Sequence, residues 1–125
     1  MIAADTSTWI AFFQTIPGQD TQLLEQALKD RQVLMIPAVL TELLSDPGLS
    51  LQDAETLAAV PTIDIQVGYW KRAGLLRATV LLKGRRARLG DALIAQSCLD
   101  QNIALLTRDR DFRAFAAAAQ LVLLP

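Results

Sequence analysis

The sequence contains no histidine and a single cysteine, Cys98. Without histidine the chain cannot build a Ser-His-Asp triad, a Cys-His pair, a catalytic pair of imidazoles or a His-ligated zinc site. With one cysteine it can form neither an intrachain disulfide nor a metal site with several thiolates. The side chains left for demanding chemistry are carboxylates, hydroxyls, lysine and arginine.

Long apolar runs are also missing. The longest, residues 33–40, is interrupted by Pro37, whereas a membrane-spanning helix needs about 20 apolar residues. The first residues, Met1 to Asp5, include no basic start, so we expect no signal peptide, a cytoplasmic location and no membrane partner. Since 52% of the 125 residues are apolar, the composition excludes a disordered chain and predicts a single domain, residues 1–125.

Short apolar segments alternate with helical patterns along the chain. The segments interpreted as strands are residues 1–4, 33–36, 62–65, 103–106 and 121–124. The segments interpreted as helices are 7–16, 20–30, 37–44, 51–60, a longer one with Val67, Trp70, Gly74, Ala78 and Leu81 in phase, 91–101 and 111–118. This alternation predicts an α/β fold, a three-layer α/β/α sandwich with a mostly parallel central sheet.

The ten aspartates and three glutamates include two groups that differ in position. In open α/β sheets, ligands bind beyond the carboxyl ends of the strands. The acids that follow predicted strands or begin nearby helices are Asp5, Glu42, Asp91, Asp109 and Asp111. Those in turns or on outer helix faces, which we interpret as solvated charges, are Asp20, Asp30, Asp46, Asp53, Glu55 and Asp100.

Each acid of the first group also has a purely structural interpretation. Asp5 and Asp91 can each cap the helix that follows, and Asp109 and Asp111 can each be a capping residue or a surface charge. For Asp91 the functional interpretation is favoured, because Asp91 lies on the inward, apolar face of its helix. Glu42 lies on the flank of its helical stripe, where periodicity fits a solvated glutamate equally well.

Several carboxylates gathered in one place require compensation. At an effective dielectric constant of about 20, two carboxylates about 5 Å apart repel by about 3 kcal/mol. Four of them would approach the roughly 5–15 kcal/mol that stabilises a whole domain, so either protonation or a cation is required. Oxygen ligands without histidine or cysteine favour Mg²⁺ or Mn²⁺, and such an ion activates water for displacement at phosphorus.

Four motifs follow one another in a distinctive order. They are Asp5-Thr6-Ser7 after the first strand, Glu42 in Pro-Ala-Val-Leu-Thr-Glu-Leu, Gly90-Asp91-Ala-Leu-Ile-Ala-Gln, and Leu106-Thr107-Arg108-Asp109-Arg110-Asp111-Phe112. Together they resemble the PIN domain, and in particular the VapC-type toxins of bacterial toxin–antitoxin pairs, over residue 2 to near the end of the chain. The resemblance implies a Mg²⁺- or Mn²⁺-dependent endoribonuclease, a homodimer and a small cognate antitoxin as inhibitor.

The resemblance also implies roles for individual residues. The acids that match the catalytic positions are Asp5, Glu42, Asp91 and Asp109, and those expected to bind the metal are Asp5, Asp91 and Asp109. The hydroxyl residues expected to orient them are Thr6, Ser7 and Thr107. Because Asp109 and Asp111 are only two residues apart, either of them can be matched to the fourth acid of the motif. We expect Asp109, which is nearer the strand end, to be the fourth acid and Asp111 to support it.

Basic residues are concentrated before Asp91. The net charge is −1, yet seven of the twelve lysines and arginines lie between residues 71 and 88. The four that are expected to bind RNA phosphates are Lys83, Arg85, Arg86 and Arg88, in a loop that Gly84 and Gly90 make flexible. The alternative is a solvated helix end followed by a charged loop.

The sequence leaves competing functions open. The first is an endoribonuclease in which water, not the 2′-hydroxyl, attacks the phosphodiester and leaves a 3′-hydroxyl and a 5′-phosphate. The second is a non-catalytic PIN-like domain that binds RNA or a protein partner. A receiver-type phosphoryl-transfer domain is disfavoured, because Asp5 has no acidic neighbour. Candidate surfaces for an antitoxin helix carry Leu23, Leu24 and Leu28, or Leu40, Leu43 and Leu44.

Overall fold

A computed structural model describes all 125 residues. Its elements are β1 (Ile2–Ala4), α1 (Thr6–Phe13), α2 (Gln19–Lys29), α3 (Pro37–Leu44), α4 (Leu51–Ala58), α5 (Tyr69–Leu82), α6 (Leu89–Gln101), β2 (Ala104–Leu106) and α7 (Phe112–Ala119). None of the helices combines the length and the apolar character that a membrane crossing requires. The predicted α/β sandwich with a parallel sheet is confirmed.

The centre of the sheet is a parallel pair of strands from the two ends of the chain. In β1 and β2, Ile2 pairs with Ala104, and Ala4 pairs with Leu106. Ala3, Ala4, Leu105 and Leu106 are fully or almost fully buried, so the pair lies inside the molecule. Because the strands are parallel and in register, the residues that follow Ala4 and Leu106 emerge side by side at one edge.

The other three predicted strands are shorter than expected. Single parallel bridges join Ile2 to Val33, Met35 to Thr62, and Leu105 to Leu123. These bridges extend the sheet on both sides of the β1–β2 pair, in the order residue 62, residues 33–35, β1, β2, residue 123. The segment at residues 33–36 cannot extend further, because Pro37 already begins α3.

Most of the buried apolar side chains form one cluster. It contains 25 residues, and each helix and both strands contribute to it. The largest fully buried side chains include Trp9, Phe112 and Phe115. Phe12 and Phe13 are partly buried against this cluster, so the aromatic residues of α1 are packing residues.

Helix α5 buries a different face from the one that the sequence pattern picked out. Tyr69, Ala73, Leu76 and Val80 are its buried residues. The in-phase residues lie on the outside instead, together with neighbouring leucines. We name this surface the α5 stripe; its exposed large members are Val67, Trp70, Leu75, Leu81 and Leu82. A helix that is apolar on both faces gives no single phase, so periodicity cannot identify the face that packs on the core.

Candidate active site

The site begins where β1 and β2 end. Asp5 follows Ala4, Thr107 follows Leu106, and the amide of Asp5 donates to the Leu106 carbonyl at 3.0 Å. The Thr107 hydroxyl donates to Asp5 Oδ2 at 2.7 Å. The parallel register therefore brings together two residues that are 102 positions apart in the sequence.

Asp5 is both a helix cap and a member of the site. Its Oδ1 accepts hydrogen bonds from the Ser7 hydroxyl at 2.7 Å and from the Thr8 amide at 3.1 Å, which caps α1. The residue is only 4% exposed. Burial raises the pKa of Asp5 above its ordinary value, while the hydrogen bonds from Ser7, Thr107 and Thr8 oppose this effect. The capping interpretation of Asp5 is confirmed, and the same carboxylate lies where β1 and β2 end.

Three aspartates come close enough together to share a cation. Carboxylate oxygens of Asp91, Asp109 and Asp111 all lie within 4.8 Å of one another, and we call these three residues the acid cluster. The Asp109 amide donates to the Thr107 hydroxyl at 2.9 Å, and the Asp111 amide donates to Asp109 Oδ1 at 2.9 Å. These bonds fix the loop after β2 so that Asp111, expected only to support Asp109, itself offers an oxygen to the cluster.

Asp91 lies in the first turn of α6, which begins two residues earlier than predicted, at Leu89. Arg88, not Asp91, is therefore the N-cap residue, and the capping interpretation of Asp91 is wrong. Its Oδ2 is buried and has no hydrogen-bond partner. Burial raises the pKa of Asp91 to about 6; the charges of Asp109, Asp111 and Asp5 add to this rise, and Arg88 opposes it.

The unpartnered oxygen of Asp91 tests whether the site fits a metal ion. A buried carboxylate oxygen without a partner costs free energy, and neighbouring carboxylates increase that cost. A hard divalent cation supplies the missing interaction and compensates the negative charge. The donor set, made only of carboxylate oxygens, fits Mg²⁺ or Mn²⁺.

Glu42 lies at the margin of the site. Its Oε1 accepts a hydrogen bond from the Thr6 hydroxyl at 3.1 Å. A Cβ atom placed on Gly90 would lie 3.9 Å from the same oxygen, so Glu42 faces the start of α6. Glu42 is exposed and does not belong to the acid cluster. Thr6 thus connects α1, which Asp5 caps, to Glu42 on α3.

The basic loop between α5 and α6 reaches the acid cluster. Its four predicted phosphate-binding residues, Lys83, Arg85, Arg86 and Arg88, are all exposed. Arg86 Nε lies 3.9 Å from Asp111 Oδ2. The loop is fixed at its base, because the Arg77 guanidinium donates to the Ala87 carbonyl at 2.8 Å and Ala87 is buried.

Two acids that the sequence placed among solvated charges are instead paired with arginines. Arg108 Nε donates to Asp20 Oδ2 at 2.7 Å, and Arg72 Nη2 donates to Asp100 Oδ2 at 2.6 Å. Burial raises the pKa of each carboxyl, but the hydrogen bonds and the charge of the arginine, together with hydrogen bonds from Thr8 and Thr21 to Asp20 and from Gln96 to Asp100, outweigh it and hold both pKa values below their ordinary value. The prediction was wrong for both, because no sequence pattern links partners 88 and 28 residues apart.

Comparison with known proteins shows the family to which the chain belongs. The PIN domain profile matches residues 2–118, so the chain belongs to the PIN domain family. This confirms the resemblance to the PIN domain that the four sequence motifs indicate. Comparison with curated proteins finds no match.

Solved structures share the fold over almost the whole chain. A crystal structure of VapBC2 from Rickettsia felis, bound to a DNA fragment from its promoter, has a TM-score of 0.77 and 23% identity, and covers 99% of this chain and 98% of that chain. A DNA-bound VapBC from Salmonella typhimurium has a TM-score of 0.71 and 19% identity, with 99% and 98% covered. VapBC-5 from Mycobacterium tuberculosis, a member of a family of toxin–antitoxin systems, has a TM-score of 0.67 and 23% identity, with 98% and 96% covered.

Proposed function

We propose that this protein is a Mg²⁺- or Mn²⁺-dependent endoribonuclease of the VapC type, the toxin of a toxin–antitoxin pair. The observation that carries the proposal is the buried, unpartnered Oδ2 of Asp91 among the carboxylates of Asp109 and Asp111. PIN domain membership and the likeness to solved VapBC structures support it.

Each acid has a separate part in this proposal. Asp91 and Asp109 hold the cation together with Asp5, and Asp111 offers a further oxygen at the same place. When bound, the ion supplies the positive charge that activates water and stabilises the leaving oxygen of a phosphodiester. Glu42, outside the acid cluster and exposed, is available to orient the water on the substrate side.

The hydroxyl residues keep the carboxylates in position. Ser7 and Thr107 each donate to Asp5, one to each oxygen, which fixes the plane of the carboxylate. Thr107 also accepts from the Asp109 amide, so one hydroxyl group sets the positions of two acids from different strands. The Thr6 hydroxyl donates to Glu42 and orients that carboxylate. Substitution of residues that orient metal ligands in this way typically lowers metal affinity by about 10- to 100-fold.

The basic loop is the proposed contact for the RNA backbone. Lys83, Arg85, Arg86 and Arg88 are exposed beside the acid cluster, and phosphate contacts of this kind depend strongly on salt. The negative net charge of the whole chain does not prevent this, because the loop concentrates positive charge next to the site.

The proposed protein partners are a cognate antitoxin and a second copy of the chain. Exposed Leu23 on α2 and Leu44 on α3 are available to an antitoxin. The α5 stripe is the proposed homodimer surface, since Val67 is 98% and Leu82 88% exposed although both are large apolar residues.

A cleavage assay tests the proposed activity. The purified protein is expected to cleave RNA with Mg²⁺ or Mn²⁺, to stop with EDTA, and to leave 5′-phosphate and 3′-hydroxyl ends. Asp91→Asn should lower the rate by at least about 100-fold, because the loss of a ligand exceeds the effect of disturbing an orienting residue. Asp64→Asn, which changes an exposed acid outside the site, is the matched control.

The same assay decides between the alternatives. Asp109→Asn should be more damaging than Asp111→Asn, because the charge of Asp109 acts on both Asp91 and Asp5, whereas that of Asp111 acts on Asp91 alone; the reverse order would assign the fourth acid to Asp111. Tight RNA binding without cation-dependent cleavage would favour the non-catalytic RNA- or partner-binding domain. Full activity of Asp91→Asn would reject the proposed site.

A further inference from the structure

Behind the acids, Arg108 and Asp20 form a two-point ion pair. Arg108 Nε donates to Asp20 Oδ2 at 2.7 Å, and Arg108 Nη2 donates to Asp20 Oδ1 at 2.9 Å. The Asp20 side chain is only 10% exposed. Arg108 Nη2 also donates to the Pro17 carbonyl at 2.9 Å. We call Arg108 and Asp20 the clamp; it joins the loop after β2 to the turn between α1 and α2.

The clamp is connected to the acids on both sides. Arg108 lies in the chain between Thr107, which donates to Asp5, and Asp109. On the other side, the Thr8 hydroxyl donates to Asp20 Oδ2 at 3.0 Å, and the Thr8 amide donates to Asp5 Oδ1. The contacts therefore form a closed circuit of hydrogen bonds and chain: from Asp5 to Thr8 on α1, from Thr8 to the clamp, and from Arg108 through Thr107 back to Asp5.

A second connection shortens this circuit. The backbone amide of Arg108 donates to the Ser7 hydroxyl at 3.1 Å, and that hydroxyl donates to Asp5 Oδ1. The backbone and the side chain of Arg108 thus both bind to the segment that starts at Asp5. A loop held at two points of one residue has little freedom to change its distance from that segment.

Gly18 shows that the clamp fits tightly against the turn. A Cβ atom at this position would lie 2.5 Å from Arg108 Nη2 and 2.6 Å from Asp20 Oδ1. Neither distance is compatible with the present geometry, so an alanine here must displace the guanidinium or the carboxylate. The substitution offers a way to disturb the clamp while keeping both of its charges.

We propose that Arg108 and Asp20 are positioning residues that set the separation between Asp5 and Asp109 and thereby set the affinity of the site for a divalent cation. Asp5 and Asp109 follow different strands of only three residues each, so strand pairing alone leaves the loop after β2 weakly fixed. The Thr107 and Ser7 hydroxyls hold the backbone of this loop, and the clamp adds a constraint through the Arg108 side chain. This inference rests on the proposed function, because it takes the acids to be cation ligands.

The chain contains a matched pair away from the acids. Arg72 Nε donates to Asp100 Oδ1 at 3.0 Å and Arg72 Nη2 donates to Asp100 Oδ2 at 2.6 Å. The Asp100 side chain is 9% exposed, and the pair joins α5 to the last turn of α6. Its hydrogen-bond chemistry equals that of the clamp, but it makes no hydrogen bond to a residue of the site.

The experiment compares Mn²⁺ affinity in four forms of the full chain: wild type, Arg108→Lys, Gly18→Ala and Arg72→Lys. Free Mn²⁺ is followed by electron paramagnetic resonance during titration with Mn²⁺ alone, and thermal unfolding without metal measures stability. Arg108→Lys and Gly18→Ala should lose about tenfold or more in Mn²⁺ affinity. The Mn²⁺ affinity of Arg72→Lys should stay within about twofold of wild type, even if its midpoint of thermal unfolding falls as much as those of Arg108→Lys and Gly18→Ala.

Cleavage kinetics add a second readout. Because both clamp variants keep every carboxylate, the Mn²⁺ concentration for half-maximal cleavage should rise while the rate at saturating Mn²⁺ recovers. A rate that stays low at saturating Mn²⁺ would contradict a positioning role that acts through metal affinity. If Arg108→Lys does not fold, Gly18→Ala carries the test, since it keeps both charges.

The outcomes separate this inference from the proposed function. Wild type that binds Mn²⁺, together with clamp variants of unchanged affinity, would overturn the inference alone. An equal loss of affinity in Arg72→Lys would reduce the clamp to a general contribution to folding and would overturn it too. Wild type without Mn²⁺ binding would overturn the proposed function, and the inference with it.

Discussion

At the scale of single residues, Asp91 shows how burial and neighbouring charge create a functional group. Its position in the first turn of α6, after Gly90 and on the inward stripe, can be predicted from the sequence. The unpartnered Oδ2 cannot, because it depends on where Asp109 and Asp111 lie in space. Only the folded chain combines desolvation with repulsion at one carboxylate.

The pKa of Asp91 predicts how stability depends on pH in EDTA. This group binds its proton up to about pH 6 in the folded state but only up to its ordinary value of 3.8 when unfolded. The free energy of unfolding should therefore fall as pH rises from about 4 to about 6. Asp91→Asn should be more stable than wild type above that range, because asparagine carries no charge. The gain should be only roughly 1 kcal/mol, because solvent screens these partly exposed charges.

Urea denaturation between pH 4 and pH 8 measures this effect. A saturating divalent cation should remove the difference between wild type at low and at neutral pH, because it favours the ionised cluster. Parallel stability curves for wild type and Asp91→Asn would show that Asp91 does not titrate in this range. Asp20 and Asp100 do not interfere, because their lowered pKa values place their contribution below this range.

Asp5 allows capping and catalysis to be separated. Asparagine and aspartate are both good N-cap residues, whereas alanine at an N-cap costs about 1 kcal/mol. Asp5→Asn should therefore keep the helix cap and lose RNA cleavage, although its amide nitrogen cannot accept from the Thr107 hydroxyl. Asp5→Ala should lose both cap and cleavage and be less stable than Asp5→Asn. Thermal unfolding and the cleavage assay, run on the same preparations, check this; an active Asp5→Asn would leave Asp5 with the capping role only.

At the scale of elements, the parallel register of β1 and β2 explains why the site was largely predictable. Acids after parallel strands meet at one edge, so Asp5 and the segment around Asp109 were expected together. The sequence could not assign the buried face of α5, because that helix is apolar on both sides. Nor could it predict the clamp, whose partners meet only when the turn after α1 packs on the loop after β2.

The exposed face of α5 predicts self-association. Leu82→Glu should shift the protein toward the monomer, because it places a charge in the apolar α5 stripe, which a second copy would bury. Light scattering after size exclusion, at several protein concentrations, measures the mass. Leu51→Glu is the matched control, since Leu51 on α4 is 84% exposed and lies outside the α5 stripe. A wild type that is monomeric at all concentrations would contradict the proposed homodimer.

At the scale of the whole molecule, the elements that form one core of 25 residues also hold the acid cluster, whose carboxylates repel one another. The acid cluster comes from α6 and the loop after β2, and the pairing of β1 with β2 brings Asp5 toward it from the other end of the chain, so folding itself brings the repelling groups together. The fold class followed from the alternation of segments, and family membership from four motifs in order. What the sequence could not supply was the mutual geometry of the acids, on which the affinity for a cation depends.

The most direct measurement of this geometry is anomalous diffraction from crystals soaked in Mn²⁺. A strong peak is predicted within about 2.1 Å of oxygens of Asp91 and of Asp109 or Asp111, the distance typical of small divalent cations with oxygen ligands. The same soak with Asp91→Asn crystals should show a much weaker peak. Mn²⁺ bound only elsewhere on the surface, in well-occupied crystals of the wild-type protein, would contradict the account.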